Sequence, residues 1–378
     1  MDFEVFNLHP SILDSVAALG YETPTPIQQR AIPPILAGRD VLGLAQTGTG
    51  KTAAFVLPIL QCLRRGPRKR IQALILAPTR ELAQQIEADV QALGQYSRVH
   101  SMTIYGGVNI NHEIDQLYDG VEVVVACPGR LLDHLDRDTV DFSLLRVLVL
   151  DEADRMLDMG FLPQIHRVVK FLPVEHQTLL FSATMPASVR ELADRLLVDP
   201  VTIQVGEVAP VPSVEHRLYP VPAELKSELL YELLYRHRHE TRSVLVFAST
   251  RHRAGRLAER LDKWGHRVAC LQGNLSQRRR QRAIEGFRDG TYQILVATDI
   301  AARGIDVPQV SHVVNYDIPA TPDDYLHRIG RTGRAGATGV AFTFFTPDEA
   351  DMLSSLEHLV GESLTRYVLE GFDYAALP

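Results

Sequence analysis

Residues 200–205 read as the last strand of the first half of the chain, and before them short, nearly unbroken apolar runs recur at residues 41–44, 71–76, 121–125, 145–150 and 178–181. Each is too short for a helix, and none shows the alternation of a half-solvated strand, so they read as strands buried on both faces. The stretches that follow them, 53–57, 78–93, 127–135, 151–160 and 182–197, read as helices. Alternation of this kind predicts an α/β fold, a parallel sheet covered on both faces. The pattern restarts further on. A helix over 229–237 precedes strand and helix alternating through 243–250, 251–264, 266–273 and 275–290. Strands at 292–299, 310–317 and 339–346 follow, and a last helix begins near Pro347. Between the two halves, residues 206–217 carry Pro210 and Pro212 without helical period and read as a flexible linker. The expected organisation is a domain over 1–205, a linker over 206–217 and a second α/β domain over 218–378.

Composition adds limits. At 378 residues the chain is too long for one typical core. With 46% hydrophobic and 22% charged residues it is globular, and its net charge of −7 gives no general pull toward nucleic acid. Binding of that kind has to come from local patches. Cys62, Cys127 and Cys270 lie far apart, which argues against a disulfide framework or zinc site and suits a reducing compartment. No apolar run approaches the ~18 residues of a membrane span, and the N-terminus lacks a signal pattern. A soluble, cytoplasmic protein is expected, with no membrane partner.

The chemistry starts at AQTGTGKT, residues 45–52, between the first strand and its helix. Strand, Gly-rich turn and helix make a phosphate-binding loop, although Ala45 stands where the motif's first Gly would be. Gly48 and Gly50 let successive N–H groups approach phosphate oxygens, and the helix N-terminus adds partial positive charge. Thr47 and Thr49 complete the cradle. Lys51 can reach the β- and γ-phosphates, and the Thr52 hydroxyl can ligate Mg²⁺. Asp151 follows the apolar strand 145–150, taken to adjoin the P-loop strand, and fits a second magnesium ligand. Glu152 is placed to polarise the attacking water as general base. The second half carries no such loop, so it is expected to act on the first domain's nucleotide.

Taken together, AQTGTGKT, PTRELA, DEAD at 151–154, SAT at 182–184 and HRIGRTGR at 327–334 resemble the DEAD-box RNA helicases, in order and over essentially the whole chain. The C-terminal segment HLVGESLTRYVLEGFDY is most similar to the bacterial RhlE-like branch. The resemblance implies two RecA-like domains, an ATP-driven helicase activity on RNA, and ATP with magnesium as cofactors. GYETPTPIQ, residues 20–28, resembles the Q motif, in which Gln28 pairs with adenine. Phe3, seventeen residues before Gly20, matches the aromatic that stacks on the base, with Phe6 a nearby alternative. Ser182 and Thr184 are implied to bond Asp154 and to couple nucleotide state to domain contact, with His327 and Arg328 ordering the interface. Arg331 and Arg334 match the family's arginine fingers, and Asp306 its ribose contact.

RNA contacts carried over to the first domain are Pro78, Thr79, Arg80, Gly106, Gly107 and Arg130. In the second they are Thr250, Gly273, Gln277, Arg280, Thr298 and Arg303. Hydroxyls, backbone amides and arginines suit phosphate and sugar contacts rather than base reading. Two departures stand out: Cys127 replaces the usual Thr, and Gln272 the usual His. The implied mode is closure of the domains on ATP and single-stranded RNA by a monomeric core, with local, non-processive separation of short duplexes and RNP remodelling as outcomes. A DNA helicase or a non-unwinding RNA clamp are the alternatives.

Overall fold

The structure is a computed structural model that describes residues 2–45, 48–205, 214–302, 310–333, 339–360 and 363–375, leaving aside the side chains of Gln277, Ile300, Asp323 and Leu359. The chain divides into two compact units, Met1–Glu207 and Val208–Pro378. Both are parallel α/β sheets, as the alternating pattern requires.

In the first unit seven strands lie in the order β3-β4-β2-β5-β6-β1-β7. They are β1 Val41–Leu44, β2 Ala73–Leu76, β3 Ser101–Ile104, β4 Val123–Ala126, β5 Val147–Leu150, β6 Gln177–Ser182 and β7 Val201–Gln204. The central β2, β4 and β5 are buried along their whole length, with separate apolar clusters on the two sheet faces. Strands covered on both sides gain on both, which is why their sequences lack alternation. One expectation is corrected: β5 does not adjoin β1, because β6 lies between them and pairs with both. Edge strand β3 also escaped the sequence reading, since its alternating burial and its Ser101 and Thr103 leave no continuous apolar run.

The β1 backbone is placed by a missing side chain. A Cβ on Gly43 would lie 2.5 Å from Cδ1 and Cε1 of Phe181, whose ring packs 5.4 Å from that of Phe55. Gly43→Ala should therefore destabilise the first unit by about 1–3 kcal/mol, as overpacked cores do. Urea unfolding measures this, and an unchanged midpoint would mean that Phe181 shifts without cost.

The second unit holds β8 Val214–Pro220, β9 Val244–Phe247, β10 Val268–Leu271, β11 Ile294–Ala297, β12 His312–Asn315 and β13 Gly339–Phe345, in the order β10-β11-β9-β12-β13-β8. Residues 214–217, assigned from sequence to the linker, instead form the start of β8, with Val214 opposite Gly339 and Arg217 opposite Phe342. Glu215 and Arg217 are paired with each other on this edge strand, and such charges disguise a strand while guarding its edge. Among the described residues no helix is long and apolar enough to cross a membrane.

Candidate functional site

Parallel sheets gather their loops at the carboxyl ends of the strands, and the sheet order sorts the sequence-predicted residues into two sets. The P-loop follows β1, Asp151 and Glu152 follow β5, and Ala183 and Thr184 follow β6; these three strands are neighbours. Residues 78–80 follow β2, Gly106 and Gly107 follow β3, and Cys127 to Arg130 follow β4; these are neighbours too, on the other side. One half of the sheet edge thus carries the residues expected at the nucleotide and the other half those expected at nucleic acid.

In the nucleotide half, the Ala45 amide donates to the Ser182 carbonyl at 3.0 Å and ties the start of the loop to β6. Gly48 and Gly50 sit at φ 85 and 90, conformations that a side chain disfavours. Gly50 caps the helix Lys51–Leu63, and a Cβ there would lie 2.6 Å from Gln28 Nε2. Gln28 is buried. Its Oε1 accepts from the Thr25 amide at 2.8 Å and its Nε2 donates to the Gly50 carbonyl at 3.1 Å. It therefore joins the start of the helix Pro26–Leu36 to the phosphate loop.

Lys51 is 6% exposed, and its ammonium has no hydrogen-bond partner among the described residues. A buried ammonium with no hydrogen bond is costly even with the Asp151 charge near it, so this atom sits where an anion would relieve it. Half-buried Thr52 follows it on the helix. Burial pushes the Asp151 carboxyl up to about 6 against the pull of Lys51, while Glu152 and Asp154 raise it further.

Glu152 takes φ 54 as the residue before the helix Ala153–Asp158, and its Oε2 lies 2.9 Å from Arg155 Nη1, both residues buried. Asp154 Oδ2 accepts from the amides of Ala183 and Thr184, at 3.1 and 2.8 Å, and from the Thr184 hydroxyl at 2.9 Å. The Ser182 hydroxyl accepts instead from the Asp154 amide, at 3.3 Å. Phe3 differs from its expected role. It is 4% exposed, packed against Phe6 and Tyr21 at 6.0 and 6.3 Å between centroids, so in this structure both phenylalanines are core.

In the nucleic-acid half, Thr79 caps the helix Arg80–Leu93 by accepting from the Leu82 amide at 3.2 Å, with buried Pro78 before it. Gly107 has φ 92, and a Cβ on it would collide with the Arg80 guanidinium. Arg130 donates from Nε to Glu113 Oε2 at 2.8 Å and from Nη2 to the Val108 carbonyl at 2.9 Å. Glu113 also accepts from the Tyr105 amide at 3.1 Å and meets buried His134. Burial works to raise its carboxyl, but the bonds from His134, Arg130 and Tyr105 outweigh it and hold the group below the usual range. Arg130 thus braces the Gly106–Gly107 turn. Cys127 is buried, makes no side-chain cap bond, and its thiol is pushed by burial up to about 12.

In the second unit Thr250, Gly273 and Thr298 follow β9, β10 and β11, which are neighbours. Thr250 caps the helix Arg251–Lys263. Before it, Ser249 donates from its amide and hydroxyl to Asp317, at 2.8 and 2.9 Å, and Asp317 also takes a two-point bond from Arg253. Gly273 lies against Arg251, and Arg280 reaches the Ala301 carbonyl at 3.4 Å. Arg328 is 2% exposed and is held inside the unit by Asp299, Asn315 and the Asp317 carbonyl. Arg331 is buried as well, and His327 half-buried. Thr47, Arg303, Asp306 and Arg334, and the Gln277 side chain, lie outside the described residues.

Sequence reasoning passed over Glu113, Arg155 and Asp317. Only Arg155 left a signal, its place one helical turn after Glu152.

Comparison with known proteins gives the family. The model of the DEAD/DEAH box helicase family matches residues 25–192, and that of the helicase conserved C-terminal domain residues 225–336. The chain belongs to the DEAD-box ATP-dependent RNA helicases. Similar members include the DEAD-box ATP-dependent RNA helicases CshA of Bacillus subtilis, 41% identical over 96% of this chain and 73% of the relative, and of Geobacillus kaustophilus, 42% identical over 96% and 78%. Among solved structures, Saccharomyces cerevisiae Dbp5 bound to RNA and ADP BeF3 is similar at 35% identity and a TM-score of 0.85, over 97% of this chain and 95% of that one. Mss116p bound to single-stranded RNA and AMP-PNP matches at 28% identity and a TM-score of 0.87, over 97% and 79%. The two sheets of this DEAD-box chain are RecA-like.

Proposed function

We propose that this DEAD-box helicase hydrolyses ATP in response to single-stranded RNA and uses domain closure to separate short duplexes locally or to remodel RNA–protein complexes. The division of the first sheet's carboxyl edge into a β5-β6-β1 half and a β3-β4-β2 half supports this reading most directly. It lets ATP and RNA occupy one domain at once without sharing a residue.

Lys51, with the amides of Gly48 to Gly50, holds the β- and γ-phosphates. Thr52 and Asp151 would hold magnesium, which takes one or two protein oxygens together with substrate phosphates. When bound with ATP, the ion neutralises charge between the β- and γ-phosphates. The donor set fits that ion. Asp151 is a buried carboxylate beside Lys51, and among the described residues no larger cluster of acidic, His or Cys ligands competes for the metal. Glu152 orients the attacking water and takes its proton. Asp154, bonded to Ser182, Ala183 and Thr184, ties nucleotide state to contact between the domains. Arg331 and Arg334 stabilise charge on the transferring phosphoryl group. Thr79, Arg80, Gly106 and Gly107, braced by Arg130, contact the RNA sugar-phosphate chain, as do Thr250, Gly273, Gln277, Arg280, Thr298 and Arg303. The two domains are linked through the segment between β7 and β8, act as a monomer, and work in the cytoplasm. The C-terminal segment favours the RhlE-like branch.

Nucleotide choice tests the Q-motif part of this assignment. Gln28 would exchange its bonds to the Thr25 amide and the Gly50 carbonyl for adenine, a match worth about 1–3 kcal/mol that guanine does not offer. ATP should be turned over in strong preference to GTP, and Gln28→Ala should narrow the gap. Equal turnover of both by the unmutated protein would remove Gln28 from base selection. Duplex unwinding compared with RNA binding separates a helicase from a passive clamp, because a clamp closes on RNA with ATP and releases no strand.

A further inference from the structure

Arg155 has been given no role so far. It stands at the third position of the short helix Ala153–Asp158 and is 3% exposed, as is Glu152. Its Nη1 lies 2.9 Å from Glu152 Oε2. Two features make this pair more than a chance surface contact. The Glu152 backbone is left-handed at φ 54, a conformation that non-glycine residues hold only when their surroundings fix it. The pair is also out of water, where charged partners hold each other in one geometry and neither is easily replaced.

The neighbourhood explains the need for it. Glu152 sits between Asp151 and Asp154, both 3% exposed, so its carboxylate has acidic neighbours on both sides in the chain and needs a fixed direction of its own. A base that accepts a proton from water has to be aimed. Arg155 supplies the opposite charge at hydrogen-bond distance, and by holding one oxygen it stops the carboxylate from turning about its last bond. Asp154, between the two, is engaged elsewhere, with residues 183 and 184. Three nearby acids thus have different partners: Asp151 feels the charge of Lys51, Glu152 is held by Arg155, and Asp154 is fastened to the β6 loop.

We propose that Arg155 is the positioning residue of the catalytic base, fixing the Glu152 carboxylate in the orientation that receives the water proton. This rests on the assignment of Glu152 as the base. Arg155→Met removes the charge and keeps the length; Arg155→Lys keeps the charge as a single point. Each is made in the unmutated chain and in Glu152→Gln, with hydrolysis read by single-turnover kinetics on saturating RNA. Affinities for a fluorescent ATP analogue and for RNA are titrated alongside.

Arg155→Met should lower the hydrolysis rate by about 10²-fold, the scale of a misplaced catalytic group. Nucleotide and RNA affinities should stay where they are, and Arg155→Lys should recover part of the rate. In Glu152→Gln the same substitution should change nothing further, because residues that act through one another are not additive. A normal rate in Arg155→Met, an equal fractional loss in both backgrounds, or a parallel loss of nucleotide affinity would overturn the proposal. Should Arg155→Met not fold, Arg155→Lys decides by the same comparison: a loss confined to the Glu152 background supports it, and an unchanged rate or an equal loss in both overturns it. Normal turnover by Glu152→Gln overturns the base assignment and this proposal together. An inactive Glu152→Gln beside a fully active Arg155→Met overturns this proposal alone.

Discussion

Arg334→Ala should reduce RNA-stimulated ATP hydrolysis by roughly 10³-fold or more, the scale measured when arginine fingers are removed elsewhere. The loss falls on the chemical step, because the charge that develops on the transferring phosphoryl group loses its cation. RNA binding without nucleotide should survive, since the residues proposed to contact RNA follow other strands. A second sample makes the same point from the opposite direction. Residues 1–205 contain a complete seven-stranded sheet and apolar clusters on both its faces, so they should fold alone. That piece keeps Lys51, Asp151 and Glu152 but lacks both arginines. It should bind ATP weakly and show almost no RNA-stimulated turnover. Turnover by this piece at the full-length rate would show that the second domain supplies no catalytic group.

Glu152→Gln should lower hydrolysis by about 10²–10⁴-fold, the usual contribution of a general base. It leaves Asp151 and Lys51 untouched, so ATP and RNA should still bind, and the variant should persist as a nucleotide-bound RNA complex. Lys51→Ala should behave differently. It removes the buried ammonium from the phosphate loop and should weaken nucleotide binding itself. Rates and nucleotide affinities measured side by side distinguish the two. Normal hydrolysis by Glu152→Gln would make Glu152 a structural partner of Arg155 and nothing more.

The alternation of apolar runs and helices revealed both parallel sheets, because strands buried on two faces leave a continuous signal. It failed where that signal was diluted. β3 alternates at a sheet edge, and β8 opens with Val-Glu-His-Arg, whose charges pair along the strand. Strand neighbours were also beyond a linear reading. That β6 intervenes between β5 and β1 depends on hydrogen bonds between distant segments.

Within the site, short motifs picked out the Gly-rich turn after β1, the acidic turn after β5 and the hydroxyl-bearing residues at 182–184. The structure bonds Asp154 to Ala183 and Thr184, a contact between the acidic turn and the hydroxyl loop that no single motif spells out. Phe3 was misjudged because spacing says nothing about exposure, and its ring is packed into the core. Gln28 carried no sequence sign of its bond to Gly50, a contact made across 22 residues of chain. Glu113 was invisible for the same reason. Its partners Arg130 and His134 come from a helix that only the folded sheet brings near.

Steady-state ATP hydrolysis by the unmutated chain, with magnesium and with or without single-stranded RNA, tests the central claim most directly. DNA of the same sequence serves as the control. Turnover should rise with RNA to a plateau and stay near the RNA-free rate with DNA. Equal turnover with and without RNA, or equal stimulation by DNA, would contradict an RNA-driven ATPase.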